Sequence, residues 1–431
     1  MNRSRIVFVL WLVAAVAAFG TGRQLLYNLW YLLTALLAFS FVWAWSSLRW
    51  LEVERRTPAN RSQVGKIAEE HFVVHNRGLF PKLWLEVRDY STLPGHLTSR
   101  VISTLGRRQS RTWSVKTRCL QRGRFRLGPV SLTSGDPFGL FVRHYPLPQL
   151  GESSFIVYPA IIDLPFFAPL MGPLSGGDSM RRRTHFVTTN VAGIRDYVPG
   201  DSFNRIHWPS TARTGRLISK EFELDPTADV WLFLDLDRTV HLEADWTEPL
   251  VHEVELPWER SYKLQLAPST VEYAVTIMAS LAKHFVGQEQ AVGLIGYGRH
   301  REVIPADRGE RQLTKILELL AVIQAEGRIP LGDVLSAEGT HLGRNTTAVI
   351  VTPTTDERAI MAAYDLQHRS INVVAILLDT VSFGGPAGNE HLAGRLAATG
   401  ILTYVVHNGD DLAQVLVGAS GYTLTPAGFD H

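Results

Sequence analysis

Val230 to Thr239 reads VWLFLDLDRT, an unbroken apolar run that ends in two aspartates set two residues apart. A run with no polar residue in its first five positions suits a strand buried on both faces of a parallel sheet, not one with a solvated face. Four runs of the same kind follow: AVGLIGY (291–297), TAVIVT (347–352), NVVAILLD (372–379) and ILTYVV (401–406). Helical patterns separate them, PSTVEYAVTIMASLAKHF (268–285), ERQLTKILELLAVI (310–323), DERAIMAAYDLQH (356–368) and NEHLAGRLAA (389–398). Ser269 with Glu272 has the spacing of a capping box just ahead of the first apolar stripe. The alternation predicts an α/β open sheet with helices on both faces over residues 228–431.

In such sheets ligands sit at the carboxyl ends of the strands. There the first strand presents Asp235, Asp237 and Thr239 at alternate positions, two carboxylates and a hydroxyl, a donor set suited to Mg²⁺ or Mn²⁺. The arrangement resembles the von Willebrand factor A-type domain, whose metal-ion-dependent adhesion site begins Asp-x-Ser-x-Ser at this place; here the second and third positions are Asp237 and Thr239. That resemblance implies a further Asp soon after the run 347–352, where Asp356 is the nearest carboxylate; it also falls at the start of the next helical pattern. The alternative is two solvated loop carboxylates. The acidic stretch 240–266 carries His241, Glu243, Asp245, His252 and Glu253 in no recognisable ligand spacing, and reads as a solvated loop or a partner-contact flap. The chain has no GK[ST] phosphate loop, no G-x-S-x-G elbow and no His-Glu-x-x-His helix, so it offers no complete catalytic constellation.

Upstream, residues 52–160 read as β. HFVVHN (71–76) and KLWLEVRDY (82–90) alternate apolar and polar residues about the turn NRGLFPK, and SGDPFGLFVRHY (134–145) is a turn feeding another strand. Roughly seven short strands over this length predict an immunoglobulin-like β-sandwich. Glu69, Glu70, His71 and His75 are conceivable ligands, but alternate strand positions more often meet solvent or a neighbour. Residues 1–51 hold two uncharged stretches, Ile6–Gly22 and Leu25–Leu48, separated by Arg23-Gln24. At ~1.5 Å per residue both approach or exceed the ~30 Å of a hydrocarbon core, which predicts a transmembrane helical hairpin. A cleaved signal peptide is the alternative for the first stretch; the second apolar run argues against it. Arg3, Arg5, Arg49, Arg55 and Arg56 flank the hairpin while Arg23 alone lies in its turn, so the positive-inside rule puts both ends and the soluble parts in the cytoplasm, the hairpin in the inner (cytoplasmic) membrane. With 43 Lys+Arg against 41 Asp+Glu, net +2, bulk charge gives no hold on nucleic acid. Cys119, the only cysteine, excludes internal disulfides and a cysteine-built zinc site.

Between the β region and the α/β region, the connecting segment 161–227 contains RDYVPGDSFNRIHWPSTARTGRLISKEFE (195–223). Val198-Pro199-Gly200-Asp201 has the form of a type II turn, and Asp201 is placed to cap a short helix that Pro209 should end. RLISKEFEL alternates like an amphipathic strand. Arg195, Tyr197, Gly200, Asp201, Ile206, Trp208, Ala212 and Arg213 match the pattern R-x-Y-x-x-G-D-x-x-R-x-I-x-W-x-x-x-A-R, with His207 fitting as well and Arg205 standing one place after the second Arg of the pattern, where this chain has Asn204. On these residues the chain resembles the bacterial and archaeal domain-of-unknown-function family 58. That resemblance implies a membrane-tethered adaptor or assembly factor beside a MoxR-type AAA+ ATPase, since such ATPases and transglutaminase-like membrane proteins are commonly encoded next to members of the family. Three readings of the segment stay open. It is a structural clasp with Trp208 buried, a docking surface built on Arg195, Tyr197, Asp201, Arg205, His207, Trp208 and Arg213, or an active site with His207 as base, Asp201 orienting it and Ser210 as nucleophile. A non-enzymatic binding module is the leading expectation for the whole chain, and a metal-dependent hydrolase using Asp235 and Asp237 the alternative.

Overall fold

The structure, a computed structural model, describes residues 3–164, 167, 191–197, 206–222, 229–244, 246, 265–344, 346–386 and 389–417. The chain divides into two compact units, one of residues 1–161 with 245–267 and 317–323, the other of 162–244, 268–316 and 324–431.

The first unit opens with α1 (Arg3–Thr21) and α2 (Gln24–Ser47), both long and apolar enough to cross a membrane by length and composition. Gly22, at φ +65°, makes the sharp turn between them. The helices are held together by aromatic contacts such as Phe19 against Trp30, centroids 5.5 Å apart, and by the Trp11 indole donating to the Thr34 hydroxyl at 2.8 Å.

Ten strands follow: β1 (Leu51–Arg56), β2 (Arg61–Gln63), β3 (Ile67–Asn76), β4 (Leu85–Asp89), β5 (Arg100–Ile102), β6 (Ser110–Arg118), β7 (Gly123–Leu127), β8 (Val130–Gly135), β9 (Val142–Pro146) and β10 (Ser153–Tyr158). They form sheets of order β1-β3-β6, β5-β4-β8-β9 and β2-β10-β7. The first two share a core in which Phe72 stacks on Trp113 at 5.3 Å, with Val53, Val87 and Leu132 around them. Residues 76–82 do not close a hairpin. β3 pairs with β1 and β6, and β4 with β5 and β8, so this connection carries the chain from one sheet to the other. Asn76 fixes its start, accepting from the Gly78 amide and donating to the Phe80 and Gly106 carbonyls. The 134–145 turn is as expected: β8 and β9 pair antiparallel, and Asp136 accepts from the amides of Phe138 and Phe141.

In the second unit β11 (Val191–Asp196), α3 (Trp208–Thr214) and β12 (Ile218–Phe222) come first, β11 and β12 pairing antiparallel with Arg195 opposite Ser219. Then come β13 (Val230–Leu234), α4 (Thr270–Gly287), β14 (Val292–Tyr297), β15 (Arg301–Asp307), α5 (Glu310–Val322, of which residues from 317 on are counted with the first unit), α6 (Leu331–Gly339), β16 (Thr347–Thr352), α7 (Glu357–His368), β17 (Asn372–Leu378), α8 (Asn389–Ala398), β18 (Leu402–Val406) and α9 (Leu412–Val417). The six-stranded sheet has the order β15-β14-β13-β16-β17-β18, parallel throughout except for β15. The order reverses between β13 and β16, and the crevice outside their carboxyl ends is the switch point where open α/β sheets bind ligands.

Two local expectations are corrected. Pro209 does not end a helix but opens one: it stands in the first turn of α3, where its missing N–H has no intrahelical acceptor to lose. Ser269 is the N-cap residue of α4, yet its side chain makes no capping hydrogen bond.

Candidate functional site

β13 ends as its backbone passes Leu234, and the next amide, that of Asp235, still bonds to the Val351 carbonyl of β16. This seats the Asp235 side chain between the two strand ends, where only 2% of the residue is exposed. Its Oδ2 accepts from the Thr352 hydroxyl at 2.6 Å and its Oδ1 from the Asp237 amide at 3.0 Å. Asp237, also buried, accepts on one oxygen from both the amide and the hydroxyl of Thr239, at 3.0 and 2.9 Å. From β16 a row of hydroxyls climbs the other wall: the Asp356 amide donates to Thr354 Oγ1, the Thr354 amide to Thr352 Oγ1, and Thr352 on to Asp235.

The three predicted residues Asp235, Asp237 and Thr239 are therefore brought together. Among the described residues neither carboxylate has an ion pair, and burial, with the charge of Asp237 adding to it, pushes Asp235 up to about 6. Asp356 does not join them. It caps α7 by accepting from the Arg358 amide at 3.0 Å and pairs with the Arg358 guanidinium at 2.7 Å.

Sequence reasoning missed His241. It is not a solvated loop residue: Nε2 lies 2.9 Å from the Asp235 carbonyl and Nδ1 3.0 Å from the Thr270 hydroxyl. Burial pushes its pKa down to about 4, so the ring is neutral. A carbonyl can only accept, so Nε2 carries the proton and Nδ1 accepts from Thr270. His241 thus ties the backbone of Asp235 to the start of α4.

The donor set around Asp235 is all oxygen and, among the described residues, has no internal cation. It fits a hard divalent ion, which Asp235, Asp237 and Thr239 would hold.

The β-rich unit contains a second cluster, of which the sequence singles out only Glu70, as a conceivable ligand. Glu70, Asp89 and His96 bring one ligand atom each within 4.8 Å of one another. Here the protein supplies its own cation. Arg55 forks onto Glu70, with Nη2 2.7 Å from Oε2, and its Nη1 lies 3.6 Å from Asp89. His96 bridges Glu70 Oε2 at 2.9 Å and Thr117 Oγ1 at 2.7 Å, and Asp89 accepts from Ser91 and Thr98. Burial alone would raise Glu70, but His96, Arg55 and Thr57 outweigh it and hold the carboxyl down to about 2. The cluster laces β1, β3, β4 and β6 together. The signal in the sequence was phase: Glu70 shares the inward alternation of Ala68, Phe72 and Val74, whereas His71 and His75 are on the other, half-exposed face.

In the signature segment Asp201 and Arg205 lie outside the described residues. Arg195, the last residue but one of β11, lies opposite Ser219, and the Tyr197 amide donates to the Leu217 carbonyl. Ile206 is buried and bridges to Ser219, while Trp208 is 63% exposed and Arg213 is exposed at the other end of α3. The buried Trp208 of the clasp reading is therefore not found. His207 Nδ1 and Ser210 Oγ lie 2.7 Å apart across the first turn of α3.

Residues 193–245, from the signature through Asp235 and His241, match the family described as "Protein of unknown function DUF58". "Uncharacterized protein YeaD" of Bacillus subtilis (strain 168) is 24% identical over 248 residues, covering 57% of this chain and 54% of that protein, so the chain's match spans about half the length of this curated relative. Both matches support the resemblance read from the signature residues. Among solved structures, the CARDB domain of the PF1109 protein from Pyrococcus furiosus, crystallised in complex with di-metal ions, is 21% identical, covers 25% of this chain and 86% of its own, and has a TM-score of 0.19. The ASH/PapD-like domain of human CEP192 covers 24% and 81% at 11% identity and a TM-score of 0.15. Both scores are too low to equate folds.

Proposed function

We propose that the protein is a membrane-anchored binding module that couples a cytoplasmic MoxR-type AAA+ ATPase to a membrane or envelope assembly. The hairpin α1–α2 is the anchor in the inner membrane, the β-rich unit an immunoglobulin-like sandwich, and the six-stranded sheet a von Willebrand factor A-like domain. The observation that carries the reading is α3. Its inner neighbours Ile206 and Ile218 are buried, while Trp208 and Arg213 stand exposed on it. Tryptophan and arginine are the residue types that most often anchor protein interfaces, and a large exposed aromatic on a short, locally braced helix is poorly explained by packing. Arg195, Tyr197, Asp201, Arg205 and His207 complete the docking surface in this reading.

The strand-end site adds a second element. A Mg²⁺ or Mn²⁺ ion held by Asp235, Asp237 and Thr239 would present open coordination positions to an acidic group of the partner. The same buried, uncompensated Asp235 also favours the competing reading, a metal-dependent hydrolase. Crosslinking and affinity capture from native membranes separates the two. Wild-type chain should retain a MoxR-type ATPase, identified by mass spectrometry, and Trp208→Ala or Arg213→Ala, checked for an unchanged melt, should lose it. Retention by both folded variants removes α3 as the docking surface. A Mg²⁺-dependent turnover of phosphoester or ester probes that disappears in Asp235→Asn would instead establish the hydrolase.

A further inference from the structure

The hairpin does not leave the β-rich unit as a bare tether. The β8–β9 turn lies alongside α2: Phe138 meets Phe39, ring centroids 6.4 Å apart, and Phe141 meets Phe41 at 5.9 Å. Phe39 precedes the end of α2 at Ser47 by eight residues, which is about 12 Å along the helix axis. The 24 residues of α2 make about 36 Å against a hydrocarbon core of about 30 Å, a surplus of about 6 Å. Even if all that surplus lay at this end, Phe39 would be about 6 Å inside the hydrocarbon, and Phe138 with it. The start of α1 marks the same level from the other side, since a Cβ on Gly139 would lie 3.6 Å from Arg3 Nη1. Arginine at a helix end reaches for the headgroups. The turn is therefore bracketed by a headgroup-level arginine and an acyl-level phenylalanine, and its tip residue Phe138 is 52% exposed.

A second loop flanks the helix exit. Lys82 Nζ donates to the Ser46 carbonyl at 2.5 Å, and the Arg77 amide donates to the Trp50 carbonyl at 2.8 Å, which fixes residues 77–82 to the last turn of α2. Between these ties Leu79 and Phe80 are 57% and 56% exposed. Exposed large apolar residues on two loops of one unit, one bound along α2 and the other at its exit, need a common cover. Continuity with the hairpin identifies it.

We propose that the 136–141 and 77–83 loops insert into the phospholipid bilayer interface, so that the β-rich unit rides on the membrane with a fixed orientation instead of swinging on the hairpin. Phe138, Leu79 and Phe80 are the inserted side chains. The proposal rests on the hairpin spanning a membrane, and its test keeps the two claims apart. Full-length chain carrying Phe138→Cys, Phe80→Cys or, as a mid-hairpin reference, Leu32→Cys is labelled with an environment-sensitive fluorophore, the buried Cys119 being left in place. Each is reconstituted in phosphatidylcholine vesicles containing some phosphatidylglycerol and nitroxide-bearing lipid, and is separately exposed to aqueous iodide. The expected result is loss of emission to the nitroxide at Phe138 and Phe80 comparable with that at Leu32, the shallow nitroxide position acting most on the two loop labels. Quenching of the loop labels by iodide alone, with Leu32 still quenched by lipid, leaves the hairpin in place and overturns the inserted loops. Loop labels shielded from both quenchers overturn it in favour of a protein cover. Absence of lipid quenching at Leu32 as well removes the membrane-spanning premise and the proposal together.

Discussion

Asp235 accepts hydrogen bonds from Thr352 and Asp237 and meets no positive charge among the described residues, and its neighbour His241 is buried and neutral. Their effects on stability run in opposite directions. Asp235 rises from 3.8 to about 6 on folding, so its contribution is present below pH 3.8 and is lost as pH rises through about 6. His241 falls from 6.5 to about 4, so its contribution is present above pH 6.5 and is lost as pH falls through about 4. Each change corresponds to about 3 kcal/mol, and across the shared window the two slopes oppose each other. Asp235→Asn removes one slope and should leave the other bare. In EDTA its urea midpoint should match or exceed that of wild type at neutral pH, then fall on acidification between pH 6.5 and 4 where wild type stays nearly level. Added Mg²⁺ should raise the thermal midpoint of wild type at neutral pH and not that of the variant, and the gain should fade below about pH 6 as protons compete for Asp235. Identical acid profiles for the two proteins would contradict the assignment. Asp235, Asp237 and Thr239 were legible because they follow one strand at fixed spacing. Thr352 was not, since it reaches Asp235 across 117 residues of sequence. His241 escaped for another reason: in an acidic stretch its neighbours advertise solvent, and only the fold shows that it faces Thr270.

Among the elements, the site's floor depends on one glycine. Gly327 donates to the Leu236 carbonyl at 2.8 Å and accepts from the Arg238 amide at 3.1 Å, so it lies beside the loop that carries Asp235 and Asp237. A Cβ there would run into the Tyr297 carbonyl and come within 2.7 Å of the Leu236 carbonyl. Both are backbone atoms that cannot swing away. Gly327→Ala should therefore cost about 3 kcal/mol, the upper range for overpacking, and should blunt the Mg²⁺ response by displacing Leu236. Gly394 provides the contrast. It is exposed within α8 with no atom near its missing Cβ, so Gly394→Ala should add about 0.5–1 kcal/mol and leave Mg²⁺ binding unchanged. Equal melting temperatures for these two variants would refute the argument from space. Elements with unbroken apolar runs were readable to within a residue or two, because a doubly buried strand has no other composition. β15 was not anticipated: REVIPAD is an edge strand with a proline and half-exposed faces, and it pairs only with β14, with a register shift between Val292 and Leu294. Gln312 steadies that edge by donating to both the Val292 and Pro305 carbonyls.

At the scale of the whole chain, in the proposed membrane-anchored reading the orientation of the hairpin decides which compartment the six-stranded sheet and α3 face, and it rests on few charges. Arg55 counted as a flanking charge in the sequence, but the fold buries it against Glu70 and Asp89, where it is neutralised within the β-rich unit. Arg3, Arg5, Arg49 and Arg56 remain on the side of the soluble residues, against Arg23 in the turn. Glu54 pairs with Arg56 on the surface, and acidic residues weigh little in topology. Two of these four charges, Arg3 and Arg5, stand at the start of α1. Replacing both by alanine while introducing Gln24→Arg beside Arg23 should invert part of the population. The measurement is protease digestion of spheroplasts against inverted membrane vesicles. Wild-type soluble units should be cut only in inverted vesicles, and the variant should show a fraction cut in spheroplasts. Digestion of wild type in spheroplasts would place the sheet and α3 outside the cytoplasm, out of reach of any cytoplasmic ATPase, and would remove the proposed partnership along with the orientation.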